Sequence, residues 1–500
     1  MSSLSFLKRY FLTGTAEEDL PFLQQAFVSS NQLSEIVGIQ SGAMRLIVGN
    51  KGIGKTALFE FLETCSNKHK LPCILVRPDD ISSQPLASTN DLASLKRFYF
   101  DALLRAIAMA IGRNHQGLLV GDARTLYEEA QRQGQTSEDF IQTTLRLLTA
   151  ISVPVKGVDG VKLAKELAGV ATNPELTRAV NSQLLDGNSK VAFLLIDDTD
   201  QVAPPGNSDH LNRVWGLLLA ARKVATDCPN VRVLVSLRSE IWLRLQSEAK
   251  GQRDQTDHLR NLVVRLHSND EHMRKIIIKR MNLAAVDAGH PRTDPYSLFF
   301  VSSQVTLPYS TEHRSWESFI IKSARERPRD AIQLIRKLID STINGQKIGD
   351  DSAQRGMSVY SKERIDDLVS EFILDCPAIR KLIESFADIP FESDFETIRE
   401  HLKRVGSAFS LLIRGATIQP GSDELAIMTL QFLHETGFLN ARLPDARQPK
   451  QFRHVLFSDE PNFVEYSNWN ELQAAQWEVH PAFRSRLIEL SRNKQARAIS

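Results

Sequence analysis

Gly49-Asn50-Lys51-Gly52-Ile53-Gly54-Lys55-Thr56, entered from the apolar run Leu46-Ile47-Val48, decides how the rest of the chain is read. The spacing fits G-x-x-x-x-G-K-[ST], a phosphate-binding P-loop, and it stands where that motif belongs, between a short strand and a helix. Glycine reaches backbone angles closed to other residues, so successive N–H groups can converge on an anion. A helix opening near Lys55 and passing through Phe59 to Leu62 aims its positive end at the same place. Lys55 would reach the β- and γ-phosphates and the Thr56 hydroxyl would hold Mg²⁺. The expected nucleotide contacts are Gly49, Asn50, Lys51, Gly52, Ile53, Gly54, Lys55, Thr56 and Ala57, and ATP with Mg²⁺ is the implied ligand. The plainer reading is a glycine-rich turn carrying a lysine by chance.

A second signal lies downstream, where Val191-Ala192-Phe193-Leu194-Leu195-Ile196 runs into Asp197-Asp198-Thr199-Asp200. A buried strand ending in carboxylates delivers them to the carboxyl edge of a parallel sheet, where a P-loop also lies. Mg²⁺ prefers hard oxygen ligands and keeps several waters, so Asp197 acting with Thr56 suffices as its protein ligand set. Asp198 or Asp200 is then the candidate to orient an attacking water. A third strand, Val231-Arg232-Val233-Leu234-Val235-Ser236-Leu237-Arg238, ends in a polar and then a cationic residue. Arg238 is a candidate γ-phosphate sensor through bidentate contact; the alternative is a surface arginine after a strand.

Around these signals, helices are expected over residues 1–40, with Glu17-Glu18-Asp19 opening one whose face carries Leu20, Leu23 and Phe27. Cys73-Ile74-Leu75-Val76 reads as a parallel strand covered on both faces. Leu92, Leu95, Tyr99, Leu103 and Ile107 recur at helical spacing, with Gly112 as a cap. Residues 113–189 read as a helical insertion, with helix starts at Thr136-Ser137-Glu138-Asp139 and Asn173-Pro174-Glu175 and a loop at Val155–Gly160. Leu262–Leu266 is a further strand, and Ser268-Asn269-Asp270-Glu271 a capping box opening a helix through Met281.

The order of P-loop, Ile196-Asp197-Asp198-Thr199-Asp200 and Val235-Ser236-Leu237-Arg238-Ser239-Glu240-Ile241 resembles bacterial KAP-like and STAND-type P-loop ATPases, relatives of the AAA+ proteins. Thr199 stands where those families carry an apolar residue, and Gln201 where they carry Arg or Glu. Arg325-Glu326-Arg327-Pro328-Arg329-Asp330 is similar to the segment that opens their lid helix. The resemblance implies a sensor-like arginine there, Arg329 or Arg327. It further implies an ATPase switch acting through self-assembly or a separate effector protein, with defence against phage as a setting.

The fold class expected is an α/β P-loop NTPase core, a parallel sheet flanked by helices, with a helical insertion, a helical lid and a C-terminal winged-helix-like α+β module. The boundaries read as 1–285 for the core, 286–345 for the lid and 346–500 for the module. In that module, helices at Glu363–Leu374 and Phe395–Val405 precede one at Asp423–Thr436. Phe438-Leu439-Asn440 would then begin an extended segment that pairs with Phe452–Phe457, and a basic tail carries Arg484, Arg486, Arg492, Lys494 and Arg497. A duplex-binding initiator or loader ATPase is the competing reading. Its recognition helix would be Asp423–Thr436, which is not basic, so packing or protein contact is favoured over DNA. The net charge of +1 also argues against a uniformly basic nucleic-acid binder. Cys65, Cys73, Cys228 and Cys376 are far apart and make neither a zinc nor a disulfide framework, which suits a reducing cytoplasm. No segment has the length and apolarity of a membrane span, and the first residues lack a signal-peptide pattern. His480 is expected to be structural, since no other His or Cys cluster accompanies it.

Overall fold

The computed structural model describes residues 3–30, 32–38, 41–77, 91–113, 120–132, 171–186, 191–202, 210–247, 258–416, 419–446, 452–457 and 459–499. The chain divides into two compact units, residues 19–268 and residues 1–18 together with 269–500.

The 19–268 unit is built on five strands: β1 Met44–Gly49, β2 Cys73–Val76, β3 Ala192–Ile196, β4 Val231–Arg238 and β5 Val263–Arg265. They form one parallel sheet in the order β2-β3-β4-β1-β5. Helices cover both faces, which is an α/β P-loop core. The two-residue period of a strand sends alternate side chains to opposite faces. Leu46, Val48, Leu194, Ile196, Val233 and Val235 therefore join one core, under the helices Leu92–Gly112 and His210–Asp227. Ile47, Leu195 and Leu234 join the other, against Leu58, Phe59 and Leu62 of the helix Lys55–Lys68. Burial on both faces is why the strands read as nearly unbroken apolar runs.

The described parts of the insertion are helical, Gly121–Arg132 and Asn173–Asp186. The helix start at Thr136–Asp139 and the loop at Val155–Gly160 lie outside the described residues. Gly112 does not act as the expected cap; it is the last residue of its helix. A Cβ there would lie 2.2 Å from the Leu126 carbonyl oxygen, so glycine lets the next helix approach closely. Arg105 ties this bundle with Asp101 and Glu129, each at 3.0 Å. The start of the helix Asn173–Asp186 is tied by Thr172, whose N–H and hydroxyl both donate to Glu175. Glu17-Glu18-Asp19 belongs to a single-turn helix of its own, Ala16–Asp19, rather than opening a longer one. Leu20 is 44% exposed while Leu23 is buried, so the expected shared face does not form.

The other unit is discontinuous. Its first helix, Ser3–Tyr10, packs on Asp270–Asp287: the Tyr10 hydroxyl donates to Asp287 at 2.9 Å and Arg280 to the Tyr10 carbonyl at 2.8 Å. That docking sets the division at 268/269, where the sequence suggested 285. The cap is also displaced by one residue. The Asn269 side chain, not that of Ser268, accepts from the His272 N–H, and the helix continues past Met281 to Asp287. The helix Pro328–Asp340, whose proline occupies its first turn, packs on Asp350–Phe372 through Lys337–Glu363 at 2.6 Å and Arg364–Asp330 at 2.8 Å.

A short hairpin, β6 Gln304–Thr306 with β7 His313–Ser315, precedes these helices. Further on, β8 Glu392–Asp394, β9 Leu439–Pro444, β10 Phe452–Val455 and β11 Gln476–Val479 form an antiparallel sheet in the order β10-β9-β11-β8. The expected hairpin is the β9–β10 pair, with Pro444 opposite Phe452. The helix Asp423–Glu435 buries Leu425, Ala426, Ile427, Leu430, Phe432 and Leu433 and is a core element. His480 is buried and its Nδ1 accepts from the Ala482 N–H at 3.1 Å, a structural role. Burial, aided by Arg325 and Arg484, pushes its pKa well down. Among the described residues, no helix is long and apolar enough to cross a membrane.

Candidate active site

Three strand ends meet at the carboxyl edge of the parallel sheet. β1 delivers Gly49, β4 runs alongside it with Arg238 level with Gly49, and β3 runs along the far side of β4. The strand carrying the aspartates is thus separated from the P-loop strand by β4. That order makes β4 the bridge between the two motifs.

The turn after β1 ends at Gly54, whose φ of +107° suits glycine and immediately precedes the helix Lys55–Lys68. The Lys55 ammonium folds back to donate to the carbonyls of Gly49, at 2.7 Å, and Asn50, at 3.2 Å. Burial pulls its pKa down, Glu240 being the largest opposing charge. Thr56 and Ala57 fill the first helical turn, with N–H groups that no carbonyl four residues back can take.

Asp197 follows β3 directly and is 1% exposed. Its N–H donates to the Val76 carbonyl at 3.0 Å, and its Oδ1 accepts from the Ser236 hydroxyl. Its Oδ2 is buried with no hydrogen-bond partner. A buried carboxylate oxygen left unmatched is costly, and such a group marks a place for an ion or a ligand. Asp198 takes a left-handed backbone, φ +49°, uncommon for a residue with a side chain. Burial first, then Asp197 and Asp200, push its pKa up to about 6. Thr199, the departure from the resembled pattern, is accounted for by its hydroxyl, which donates to the Ser236 carbonyl at 2.6 Å and clamps the end of β3 onto β4.

Asp200 accepts from Arg238 Nε at 2.9 Å. Its main-chain carbonyl takes a 2.8 Å hydrogen bond from His210 Nε2, which must carry the proton because a carbonyl only accepts. Asp197, Asp198, Asp200 and Arg238 are therefore gathered at the edge that carries Gly49. Arg329 belongs to the other unit, where its Nε donates to the Gly14 carbonyl at 3.4 Å; Arg327 lies 4.0 Å from Glu371. Sequence reasoning passed over three residues of the edge: Ser236, Glu240 and His210. Ser236 was signalled by a lone hydroxyl within Val233-Leu234-Val235-Ser236-Leu237.

The arrangement suits an anion on the loop N–H groups, and the buried Oδ2 of Asp197 suits a hard cation. Residues 271–369 match the family model described as the FunZ-associated C-terminal helical domain. No curated protein matches the chain. Among solved structures, the chain is similar to the ORC2 protein of Aeropyrum pernix, solved as ADPNP and ADP complexes. That similarity is 12% in identity over 96% of this chain and 94% of the other, with a TM-score of 0.38.

Proposed function

We propose that the chain binds ATP on Gly49–Ala57 and hydrolyses it. The observation that carries this reading is the buried, unpartnered Oδ2 of Asp197, placed on the sheet edge that also ends in the P-loop. Asp197 and Thr56 fit Mg²⁺, because one supplies a desolvated carboxylate oxygen and the other a hydroxyl at a helix start. Bound there, the ion would neutralise charge on the phosphate oxygens. The chain's own work is positional. The loop N–H groups orient the phosphates, Lys55 exchanges its loop carbonyls for phosphate oxygens, and Ser236 fixes Asp197. Asp198, with its raised pKa, is the carboxylate best placed in character to take a proton from the attacking water near neutral pH.

The output of this cycle is a nucleotide-controlled switch that drives self-assembly or a partner effector, with bacterial anti-phage defence as its setting. Arg329, held on the Gly14 carbonyl, is the second arginine that would respond to nucleotide. Protein contact is favoured over duplex DNA for the C-terminal region. Its candidate recognition helix is buried, and Arg484, Arg486 and Lys494 engage Glu478, Glu489 and Asp388. The test is nucleotide affinity and phosphate release by wild type, Lys55→Ala and Asp197→Ala, with the assembly state followed with and without a non-hydrolysable ATP analogue. Equal phosphate release by all three proteins would refute turnover at this site. Duplex binding at low salt that disappears when residues after 484 are removed would refute the protein-contact reading.

A further inference from the structure

Arg238, the cation level with the start of the P-loop, is already engaged. Its Nε is 2.9 Å from Asp200 Oδ2, and its NH1 is 3.9 Å from Glu240. The pair is largely withdrawn from solvent, with side chains 27% and 13% exposed, so it is screened less than a surface pair. The two partners are unequally mobile. Asp200 sits in the 3₁₀ turn Thr199–Gln201, anchored by Thr199 to the Ser236 carbonyl and by His210 to its own carbonyl. Arg238 ends a strand and projects a long side chain with several rotatable bonds. When the pair opens, the arginine moves and the aspartate stays.

A guanidinium donates to carboxylate and phosphate oxygens in the same forked geometry. From this geometry we infer that Asp200 is an internal stand-in for the terminal phosphate, holding Arg238 while a nucleoside diphosphate is bound and losing it to a nucleoside triphosphate. The inference rests on the nucleotide-site reading above. Asp200 is then a specificity-determining residue rather than a water-orienting one. It lowers affinity for the triphosphate, which must break the ion pair, and leaves the diphosphate untouched. A ligand shifts such an equilibrium only through its differential contact with the two states, and the third phosphate is that difference. Glu240, farther from Arg238, contributes a smaller share of the same effect.

The experiment is calorimetric titration of the full chain with ADP and with a non-hydrolysable ATP analogue, for wild type, D200N, R238A and the double variant. D200N is expected to bind the analogue about threefold to tenfold more tightly, with ADP affinity unchanged within about twofold. In the R238A background the D200N effect should vanish, because the two residues act as one unit. Asp200→Glu keeps the charge and should keep the wild-type ratio of the two affinities. If D200N leaves that ratio unchanged while wild type binds both nucleotides, the stand-in role is overturned and the nucleotide site stands. If D200N loses ADP binding and Asp200→Ser keeps the wild-type ratio, Asp200 merely holds the turn and the inference is again overturned. If wild type binds neither nucleotide, the underlying reading falls, and the inference with it.

Discussion

Two buried aspartates, one in each unit, show how alike a site and a strut can look in a sequence. Asp197 directly follows a strand and Asp330 lies in the first turn of a helix, and both are almost fully buried. They differ in how their oxygens are used. Asp330 has both matched, Oδ2 by Arg325 and Oδ1 by Arg364, each at 2.8 Å, with the Tyr360 hydroxyl closing the cluster on the Ser323 carbonyl. Asp197 has one oxygen matched by Ser236 and one left over. A carboxylate with both oxygens answered from within the chain is there to hold helices together. One kept half-answered at a sheet edge, beside a strained Asp198, is kept for something from outside.

The largest effect is expected at Asp330. Asp330→Ala should destabilise its unit by about 3–5 kcal/mol, since it takes the carboxylate from the buried Arg325 and leaves the buried Arg364 with Asp367 alone; chemical denaturation reads this directly. Burial alone would raise the Asp330 carboxyl, but Arg325 and Arg364 outweigh it and hold the pKa low. A depressed folded value means that this stability is present above the unfolded carboxyl pKa of about 3.9. It is lost as pH falls below that value through the folded one, so the variant and wild type should converge in acid.

Asp197→Asn should behave in the opposite way. Its folding stability should match or exceed that of wild type, because it removes an unmatched buried charge. Its phosphate release should fall by about 100-fold or more, the scale of a lost metal ligand. A loss of stability comparable with that at Asp330 would make Asp197 a strut too. Lys55→Ala should weaken nucleotide binding by about tenfold to hundredfold, the worth of a charge-assisted hydrogen bond, without lowering the melting temperature.

The smallest effect is expected at Asp198. Its folded pKa of about 6 lies above the unfolded value, so the folded state holds the proton more tightly and loses stability as pH rises between the two values. Asp198→Asn should therefore gain about 1 kcal/mol over wild type above pH 6, a gain that fades on approach to pH 4. Melting curves at pH 4.5 and pH 8 separate these outcomes.

Much of the 19–268 unit could be read in advance because its signals are local. A strand buried on both faces has to be a short apolar run, and a loop that cradles phosphate has to be glycine-rich at fixed spacing. What stayed hidden was through-space. Nothing in Asp197 or Ser236 announces a bond between residues 39 apart in the chain, and nothing in Asp200 says that Arg238 is its partner. Those pairs follow from strand order, which places β4 between β1 and β3. The burial of Arg325 against Asp330 was hidden in the same way, since nothing in the segment at 325–330 shows which of its arginines turns inward. The cap at Asn269 was missed by one residue, because Ser and Asn are equally good candidates until the backbone selects one.

The discontinuous unit has a consequence for biosynthesis. The helix Ser3–Tyr10 leaves the ribosome long before Asp270–Asp287, the helix it must clasp, has been translated. All of residues 19–268 emerge in between, and a domain of that size folds as a unit while the rest is still being made. The amphipathic opening segment, with Leu4, Leu7, Tyr10 and Phe11 destined for burial, spends that interval exposed. The clasp between Ser3–Tyr10 and Asp270–Asp287 therefore has to wait for a surface made much later.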